Sequence, residues 1–249
     1  MGIAEAFDTT LPLFNPQDFY GKHDKIADVC VLSFSKSVAD KVLDKFETEI
    51  VAKSGTANGN ICIYRLKESG VLFYLSPIGS AVAGTVLQEV HTLTGADKYV
   101  AFGSCGILDQ MCKDRIIVPC KAYRDEGFSY HYTPASDYID VKNAEYVNRV
   151  LQKAGASTIV GKTWTTDAIY RETTGKIQKR KEDGCVCVEM ECAGLQAVCD
   201  YLSAQFYTFF FSGDLLLDKW ERGHLGNESE KEKQKSCLQL ALAIAESLK

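Results

Sequence analysis

The feature that most constrains the fold is a series of short apolar runs separated by segments with helical periodicity. The apolar runs lie at 29–34, 61–64, 71–75, 99–103, 115–119, 157–161, 185–190 and 206–212. Several are apolar throughout, which is typical of strands covered on both faces. Apolar residues recur at helical spacing in the segments 36–49, 81–94, 143–154 and 230–248. This alternation predicts an α/β sandwich with helices on both faces of the sheet.

The runs at 61–64 and 71–75 are close enough in the chain to pair as a hairpin, which favours a mixed sheet. No internal repeat and no linker rich in proline or serine divides the 249 residues. A chain of this length can bury a large core within one domain. We therefore predict a single domain over residues 1–249, built on a mixed β-sheet flanked by helices on both faces.

The composition indicates which kinds of binding partner and which cellular compartment to expect. A formal net charge of −5 argues against nucleic acid as a partner, because the negatively charged backbone of nucleic acids binds to basic surfaces. No apolar run approaches the roughly 20 residues that span a bilayer, and no signal-like segment opens the chain, so we expect a cytoplasmic protein without a membrane partner. The 10 cysteines lie mostly in apolar segments and the 4 histidines are scattered, so no metal site is expected.

The first candidate stretch for chemistry is AFGSCGILD at 101–109, where an apolar strand runs into two glycines. Glycines at such a point let the backbone turn sharply and aim its N–H groups at an anion. Gly103 and Ser104 are therefore candidates for an anion-binding turn. A tight turn without a ligand is the alternative, because glycines after strands are common.

The second stretch is CVEMECAG at 187–194, which places two glutamates inside an apolar run where an unpaired carboxylate is costly. If the strand continues, Glu189 and Glu191 point to one face and Met190 points to the other. If a helix begins near Glu191, the acids lie in its first turn, where the helix dipole stabilises them. A carboxylate there suits the paired hydroxyls of a ribose, and a helix cap without a ligand is the alternative.

The third stretch is FFFSGDLLLDKW at 209–220, in which Asp214 follows an aromatic strand and precedes three leucines. An apolar environment raises a carboxyl pKa, so Asp214 is a candidate proton donor near neutral pH. Ser212 is placed to orient it. An Asx-turn or a helix cap at the end of the strand is the alternative.

The fourth feature is a pair of segments, 123–132 and 163–173, that mix aromatic and polar residues. Trp164, Tyr170 and Phe128 are suited to stack on a planar base, and Arg171 is suited to read its edge. Packing in the core is the alternative for each aromatic residue.

These four stretches, in this order, closely resemble the type I nucleoside phosphorylase family, which includes purine nucleoside phosphorylases, uridine phosphorylases and related nucleosidases. The resemblance runs from about residue 28 to 225, and its most specific element is VEMECAG. It implies a mixed β-sheet flanked by helices. It also implies that the enzyme splits the N-glycosidic bond of a nucleoside with phosphate as nucleophile, with no metal or organic cofactor and as a homo-oligomer, either a dimer or a hexamer.

The resemblance also implies a role for each candidate residue. It places the ribose at Glu191, Met190 and Glu189, the base at Trp164, the purine N7 at Asp214, and phosphate at Ser104 and Gly103. Asp214 here follows SG, one residue later than the family's usual spacing. Because a pyrimidine has no N7, Asp214 favours a purine nucleoside over uridine.

Two positions depart from the phosphorylase pattern. The chain has Ala101 where the family usually carries an arginine that clamps phosphate. The loop after the first strand reads SFSKSV, which leaves Ser33, Ser35 and Lys36 as substitutes. We predict a purine nucleoside phosphorylase that releases free base and ribose 1-phosphate. The alternatives are a uridine phosphorylase, a hydrolytic nucleosidase of the same fold and a non-catalytic nucleoside-binding module.

Overall fold

The computed structural model describes residues 2–57 and 59–249 of the chain. Its strands are β1 (Val29–Ser33), β2 (Thr48–Thr56), β3 (Gly59–Leu66), β4 (Leu72–Leu75), β5 (Lys98–Ile107), β6 (Ile116–Asp125), β7 (Tyr138–Asp140), β8 (Thr158–Thr166), β9 (Cys185–Glu189), β10 (Gln205–Leu216) and β11 (Trp220–Glu221). Its α-helices are α1 (Pro16–Tyr20), α2 (Lys36–Lys45), α3 (Ser80–Thr94), α4 (Ala144–Lys153), α5 (Thr174–Glu182), α6 (Cys192–Tyr201) and α7 (Glu228–Ser247). Every apolar run identified in the sequence lies in or overlaps a strand.

The sheet contains a closed ring of strands in the order β5–β9–β8–β6–β10, because β10 also pairs with β5. Strands β1, β4, β3 and β2 extend from β5 as an open wing, while β7 and β11 pair with β6 and β10. The pairs β1–β5 and β8–β9 are parallel, whereas β3–β4 and β5–β9 are antiparallel. The predicted mixed sheet and the predicted hairpin are both confirmed.

Helices cover both faces of the sheet, as predicted. One apolar core lies between the sheet and the pair α3 and α6, to which Leu87, Val90 and Val198 belong. The other core lies beneath α2, α4 and α7, with Val42 and Ala241 among its buried residues. Burial of these apolar stripes is the main force that holds the helices on the sheet.

The turn predicted at Gly103 and Ser104 is wrong, because β5 continues through both residues to Ile107. β5 pairs with β10 along this stretch and with β9 at Gly106, so neighbours on both sides hold its backbone extended. The glycines instead permit close approach of neighbouring side chains. A Cβ added at Gly103 would lie 3.2 Å from a ring carbon of Phe34.

The carboxyl ends of the parallel strands β1, β4, β5 and β10 meet at one edge of the sheet. Ser33 ends β1, and its carbonyl oxygen accepts a 2.9 Å hydrogen bond from the N–H of Ser76, which follows β4. α3 begins next to this point, at Ser80. Ligands of open α/β sheets bind outside the carboxyl ends of the strands, so this edge is where a site is expected.

Candidate active site

Glu189 caps helix α6 and has both carboxylate oxygens engaged within the chain. Its Oε2 accepts hydrogen bonds from the N–H groups of Glu191 and Cys192, each at 2.7 Å. Its Oε1 accepts from the hydroxyls of Thr165 at 2.6 Å and Thr163 at 3.3 Å. The expected contact of Glu189 with the ribose is therefore corrected, because its acceptor sites already hold the β8–β9–α6 junction together.

Glu191 lies just before α6 but does not cap it. Instead, its Oε1 accepts a 2.6 Å hydrogen bond from the N–H of Gly79, at the N-terminus of α3. Gly79 has a φ of +96°, in the left-handed region that glycine tolerates, and this conformation aims the N–H at the carboxylate. Of the two alternatives that the sequence left open, the common strand face is wrong, because β9 ends at Glu189. The helix that begins near Glu191 is confirmed, because α6 starts at Cys192.

Glu191 is buried at this edge of the sheet, with 8% of the residue exposed. Burial, followed by the negative charge of Glu189, raises the pKa of Glu191 to about 8, against the opposing N–H of Gly79. A carboxyl group with this pKa exchanges its proton near neutral pH and binds strongly to hydroxyl donors when ionised. It is therefore suited to grip sugar hydroxyls.

Met190 is fixed by its backbone beside Glu191. Its carbonyl oxygen accepts hydrogen bonds from both the N–H and the hydroxyl of Ser80, each at 3.0 Å. Gly194 makes this approach possible, because a Cβ there would lie 2.6 Å from the Cβ of Ser80. The segment Met190–Glu191 is thereby held against the start of α3, and the Met190 side chain stays half-buried.

Asp214 lies in a β-bulge of β10, whose register with β5 shifts between Ser212 and Leu215. The bulge accommodates the extra residue of the SGD sequence. A Cβ at Gly213 would meet the Cβ of Ser104 at 3.1 Å, so only glycine fits this position without displacement. The Asp214 side chain turns over Gly106, since a Cβ at Gly106 would lie 3.2 Å from Oδ1 of Asp214.

Two side chains that sequence reasoning missed accompany Asp214. The indole Nε1–H of Trp220 donates a 2.8 Å hydrogen bond to Oδ2 of Asp214. The half-buried carboxyl group of Glu172 is close enough to interact with the Asp214 charge, and burial followed by that charge raises the pKa of Glu172 to about 7. The sequence signal that could have identified Glu172 was its place among polar residues next to an aromatic one, in YRETT.

Ser212, in contrast to Trp220, does not orient Asp214, because its buried hydroxyl has no hydrogen-bond partner among the described residues.

Only some of the residues expected to bind phosphate lie close together. Ser33 is buried opposite Phe102, and Ser104 lies half-buried on the neighbouring strand. Lys36 points away into solvent, where its Nζ contacts both carboxylate oxygens of Asp40 at 2.7 Å. Ala101 is buried in the apolar core between strands β1 and β10. Neither Lys36 nor Ala101 therefore supplies a cation to this edge.

Trp164 is a core residue, which corrects its expected role as an open stacking surface for the base. Its side chain is 0% exposed, and its Nε1–H donates a 3.1 Å hydrogen bond to Oδ2 of Asp125. Phe128 is likewise used for packing, because its ring fills the space left by Gly84 of α3 and Gly194 of α6. The sequence did not distinguish these residues from base contacts, since an aromatic side chain suits both roles.

Tyr170 and Arg171 lie in a short 3₁₀ helix, Ile169–Arg171, immediately before Glu172. Tyr170 is 96% exposed and Arg171 is also exposed. Their position beside the Glu172–Asp214 pair is compatible with a contact to a base, which stays a prediction.

Across residues 2–57 and 59–249, no group of three or more His, Cys, Asp and Glu side chains is arranged to hold a metal ion. In the same described part of the chain, no helix is long and apolar enough to cross a membrane.

Curated relatives align with part of the chain. A DeoD-type purine nucleoside phosphorylase of Exiguobacterium is 25% identical over 166 residues, which cover 64% of this chain and 66% of that protein. An uncharacterized protein of Acanthamoeba polyphaga mimivirus is 29% identical over 141 residues, which cover 55% of this chain and 54% of that protein. The chain thus spans between about half and two thirds of the length of these relatives.

Solved structures share the fold over most of the chain. An AMP nucleosidase from Bacteroides thetaiotaomicron superimposes with a TM-score of 0.68 at 17% identity, covering 88% of this chain and 87% of that one. A mutant futalosine hydrolase of Helicobacter pylori superimposes with a TM-score of 0.70 at 10% identity, covering 89% of this chain and 100% of that one. A family model described as the phosphorylase superfamily matches residues 28–249, nearly the whole chain. The chain therefore belongs to the phosphorylase superfamily.

Proposed function

We propose that this protein cleaves the N-glycosidic bond of a purine nucleoside, with water as the nucleophile. The observation that carries the proposal is the presence of two differently held acids, one just after β9 and one in β10, on strands that both pair with β5. Glu191 is held by the Gly79 N–H, and Asp214 is held by the Trp220 indole on a separate bulge. Departure of a purine requires a grip on the sugar and a proton for the base, and these residues suit the two tasks.

Each of the two acids acts on one of the charges that develop during the reaction. As the glycosidic bond breaks, the sugar gains positive charge and the base gains negative charge. An ionised Glu191 that accepts hydrogen bonds from ribose hydroxyls stabilises the sugar, while Asp214 delivers a proton to N7 of the departing purine. Water then forms the new bond to C1′, and the proton that it releases restores the acid form of Asp214, so that one water is consumed for each base released. A uridine substrate is disfavoured, because a pyrimidine has no N7 for Asp214 to protonate.

The choice of water over phosphate rests on Ala101 and Lys36. A phosphate dianion in a partly buried site needs a paired cation, usually a bidentate guanidinium. Ala101 is 1% exposed in the core, and the Lys36 ammonium is paired with Asp40 in solvent. The relatives named AMP nucleosidase and futalosine hydrolase agree with a hydrolytic reaction on this fold.

Phosphorolysis, which the sequence predicts, is the second candidate. It is supported by the DeoD-type relatives, which are named as purine nucleoside phosphorylases. The hydroxyls of Ser33 and Ser104 lie on neighbouring strands at the same edge and would bind a phosphate in that case. Phosphorolysis would then require a cation from a second subunit, which the predicted homo-oligomer would supply.

The test is a product assay in phosphate-free buffer and in buffer with added phosphate. The purified protein is incubated with adenosine, inosine or uridine, and free base, free ribose and ribose 1-phosphate are measured separately. Free ribose released from a purine nucleoside at equal rates in both buffers supports hydrolysis. Cleavage only with phosphate, with ribose 1-phosphate as product, replaces hydrolysis by phosphorolysis. Binding of nucleoside without turnover in either buffer overturns both in favour of a binding module.

A further inference from the structure

Residues 217–226 form a segment that lies against the bulge that carries Asp214. Strand β11, within this segment, pairs antiparallel with the end of β10. The N–H of His224 donates a 2.8 Å hydrogen bond to the carbonyl oxygen of Gly213, the residue before Asp214. The indole N–H of Trp220 donates to Oδ2 of Asp214, also at 2.8 Å. The direction of the Asp214 carboxyl group therefore depends on where this segment lies.

The side chain of His224 ties this segment to a distant part of the chain. Its Nε2 lies 2.7 Å from Oδ1 of Asp114, in the turn before β6, and its Nδ1 lies 2.6 Å from Oγ of Ser229 on α7. Within the part of the chain that the structure describes, no other side chain of the 217–226 segment makes a hydrogen bond or an ion pair with a residue before Gly213. His224 is therefore the polar tether between this segment and the turn before β6.

The contact between Trp220 and Asp214 is weak unless the segment is held in place. Trp220 is 62% exposed, and water competes for both partners of an exposed hydrogen bond. The contact at the other end of the tether involves an ionised group. The Lys233 ammonium, followed by His224, lowers the pKa of Asp114, so this carboxylate is charged near neutral pH. A charged acceptor makes a stronger hydrogen bond with the ring N–H than a neutral acceptor does.

Resting on the proposed function, we propose that His224 is a positioning residue for the proton donor Asp214. The contact of His224 with Asp114 fixes the 217–226 segment. The fixed segment keeps the Trp220 indole on Oδ2 of Asp214, which leaves Oδ1 for the proton that goes to N7 of the base. Proton transfer depends steeply on alignment, so a misdirected carboxyl group loses part of the rate.

The kinetic experiment uses adenosine and a riboside with a 4-nitrophenolate leaving group, under whichever phosphate condition supports cleavage. His224→Ala removes the tether from the full-length protein, and we expect kcat on adenosine to fall by about 10-fold with little change in KM. The nitrophenyl riboside should keep its kcat, because its leaving group needs no proton. His224→Gln places an amide N–H near the position of Nε2 and should restore most of the rate. His23→Ala, at an exposed histidine ahead of β1, is the matched control.

The indole N–H signals test the tether without enzyme activity. The chain has 2 tryptophans, and the other one, Trp164, is 0% exposed and hydrogen-bonded to Asp125. In protein labelled with ¹⁵N-tryptophan, we expect the Trp220 signal of His224→Ala to move towards the position of a solvent-exposed indole. The Trp164 signal should stay in place, and both signals should stay in place in His224→Gln.

An Asp214→Asn background separates positioning from a structural defect. A residue that acts through Asp214 adds no further loss there, so His224→Ala should leave the kcat of Asp214→Asn unchanged. A further loss in that background, an equal loss on both substrates or an unmoved Trp220 signal overturns the role of His224 and leaves the proposed cleavage intact. Absence of nucleoside cleavage by the unsubstituted protein, with and without phosphate, overturns the proposed function and the positioning role with it.

Discussion

The N–H of Gly79 donates a 2.6 Å hydrogen bond to Oε1 of Glu191, across 112 residues of sequence. This contact joins the N-terminus of α3 to the end of β9, and it draws the Glu191 carboxylate away from α6. Glu189 takes the capping role there instead. Two glutamates in one short motif thus have different partners, and we propose a ligand contact only for Glu191.

Replacing Glu191 tests the sugar contact. Glu191→Gln keeps the shape but removes the negative charge that accepts from ribose hydroxyls, so we expect kcat/KM for a ribonucleoside to fall by about 10²-fold. The 2′-deoxy analogue should lose less, because it lacks one of the hydroxyls. Steady-state kinetics on adenosine and 2′-deoxyadenosine measures this, with exposed Glu145→Gln on α4 as control. Equal losses on both substrates would contradict a contact with the 2′-hydroxyl.

Replacing Asp214 tests the proton transfer to the base. Asp214→Asn keeps an oxygen for the Trp220 indole but has no acidic proton, so we expect kcat on adenosine to fall by about 10² or more. A riboside with a 4-nitrophenolate leaving group needs no such proton and should lose much less. The comparison of the two substrates measures the role directly, and an unchanged kcat on adenosine would remove Asp214 from the mechanism.

Gly106→Ala tests the close packing beneath Asp214. The added methyl group would lie 2.4 Å from Cδ1 of Leu216 and 2.9 Å from Cγ1 of Val188, so these side chains must move. Overpacking of this kind costs about 1–3 kcal/mol, and we expect a lower melting temperature and a lower kcat. Gly175→Ala on α5 meets no atom within 4 Å and serves as the control. A melting temperature that matches the control would show that the bulge adapts freely.

The buried glutamates predict an unusual pH dependence of stability. Burial raises the pKa of Glu191 from 4.5 to about 8 and that of Glu189 from 4.5 to about 7. The folded state therefore keeps protons that the unfolded chain releases above pH 4.5. The resulting stability is complete below that pH and is lost as the pH rises through about 7 to 8.

We therefore expect the ligand-free protein to melt at a lower temperature at pH 8.5 than at pH 5.5. One pKa unit corresponds to about 1.4 kcal/mol, which is a few degrees for a chain of this size. Thermal scans by circular dichroism measure the slope, and Glu191→Gln should flatten it because the amide does not titrate. A melting temperature that rises over this interval would contradict the raised pKa values.

Much of the fold followed from local pattern. The alternation of apolar runs with helical stripes predicted the class, because burial on one or both faces of an element leaves a periodic signature in neighbouring residues. β2 was missed, since most of its residues are exposed or half-exposed and form no apolar run. The closed ring of strands was also not predicted, because it depends on the pairing of β10 with β5 and β6 over long sequence distances.

The sequence predicted which reactive residues the candidate site contains, but not how they are arranged in space. The motifs placed Glu189, Glu191 and Asp214 among the reactive residues, since few other carboxyl groups lie in apolar segments. They did not reveal that Trp164 is enclosed by the core or that Glu172 lies near Asp214. Enclosure depends on which elements cover a strand, and that information is not contained in the strand's own sequence.

The amino-acid sequence by itself determined the α/β class, the family resemblance and the set of acids available for chemistry, because these depend on residue type and local spacing. Only the tertiary structure decided that Glu189 has both carboxylate oxygens hydrogen-bonded within the fold, whereas Glu191 has one. Glu189 is bound by Thr165 on a neighbouring strand, whereas Glu191 meets a single N–H from a helix more than 100 residues away in the chain. Hydrogen bonds between distant segments form only when the whole sheet closes, and they set the role of each carboxylate.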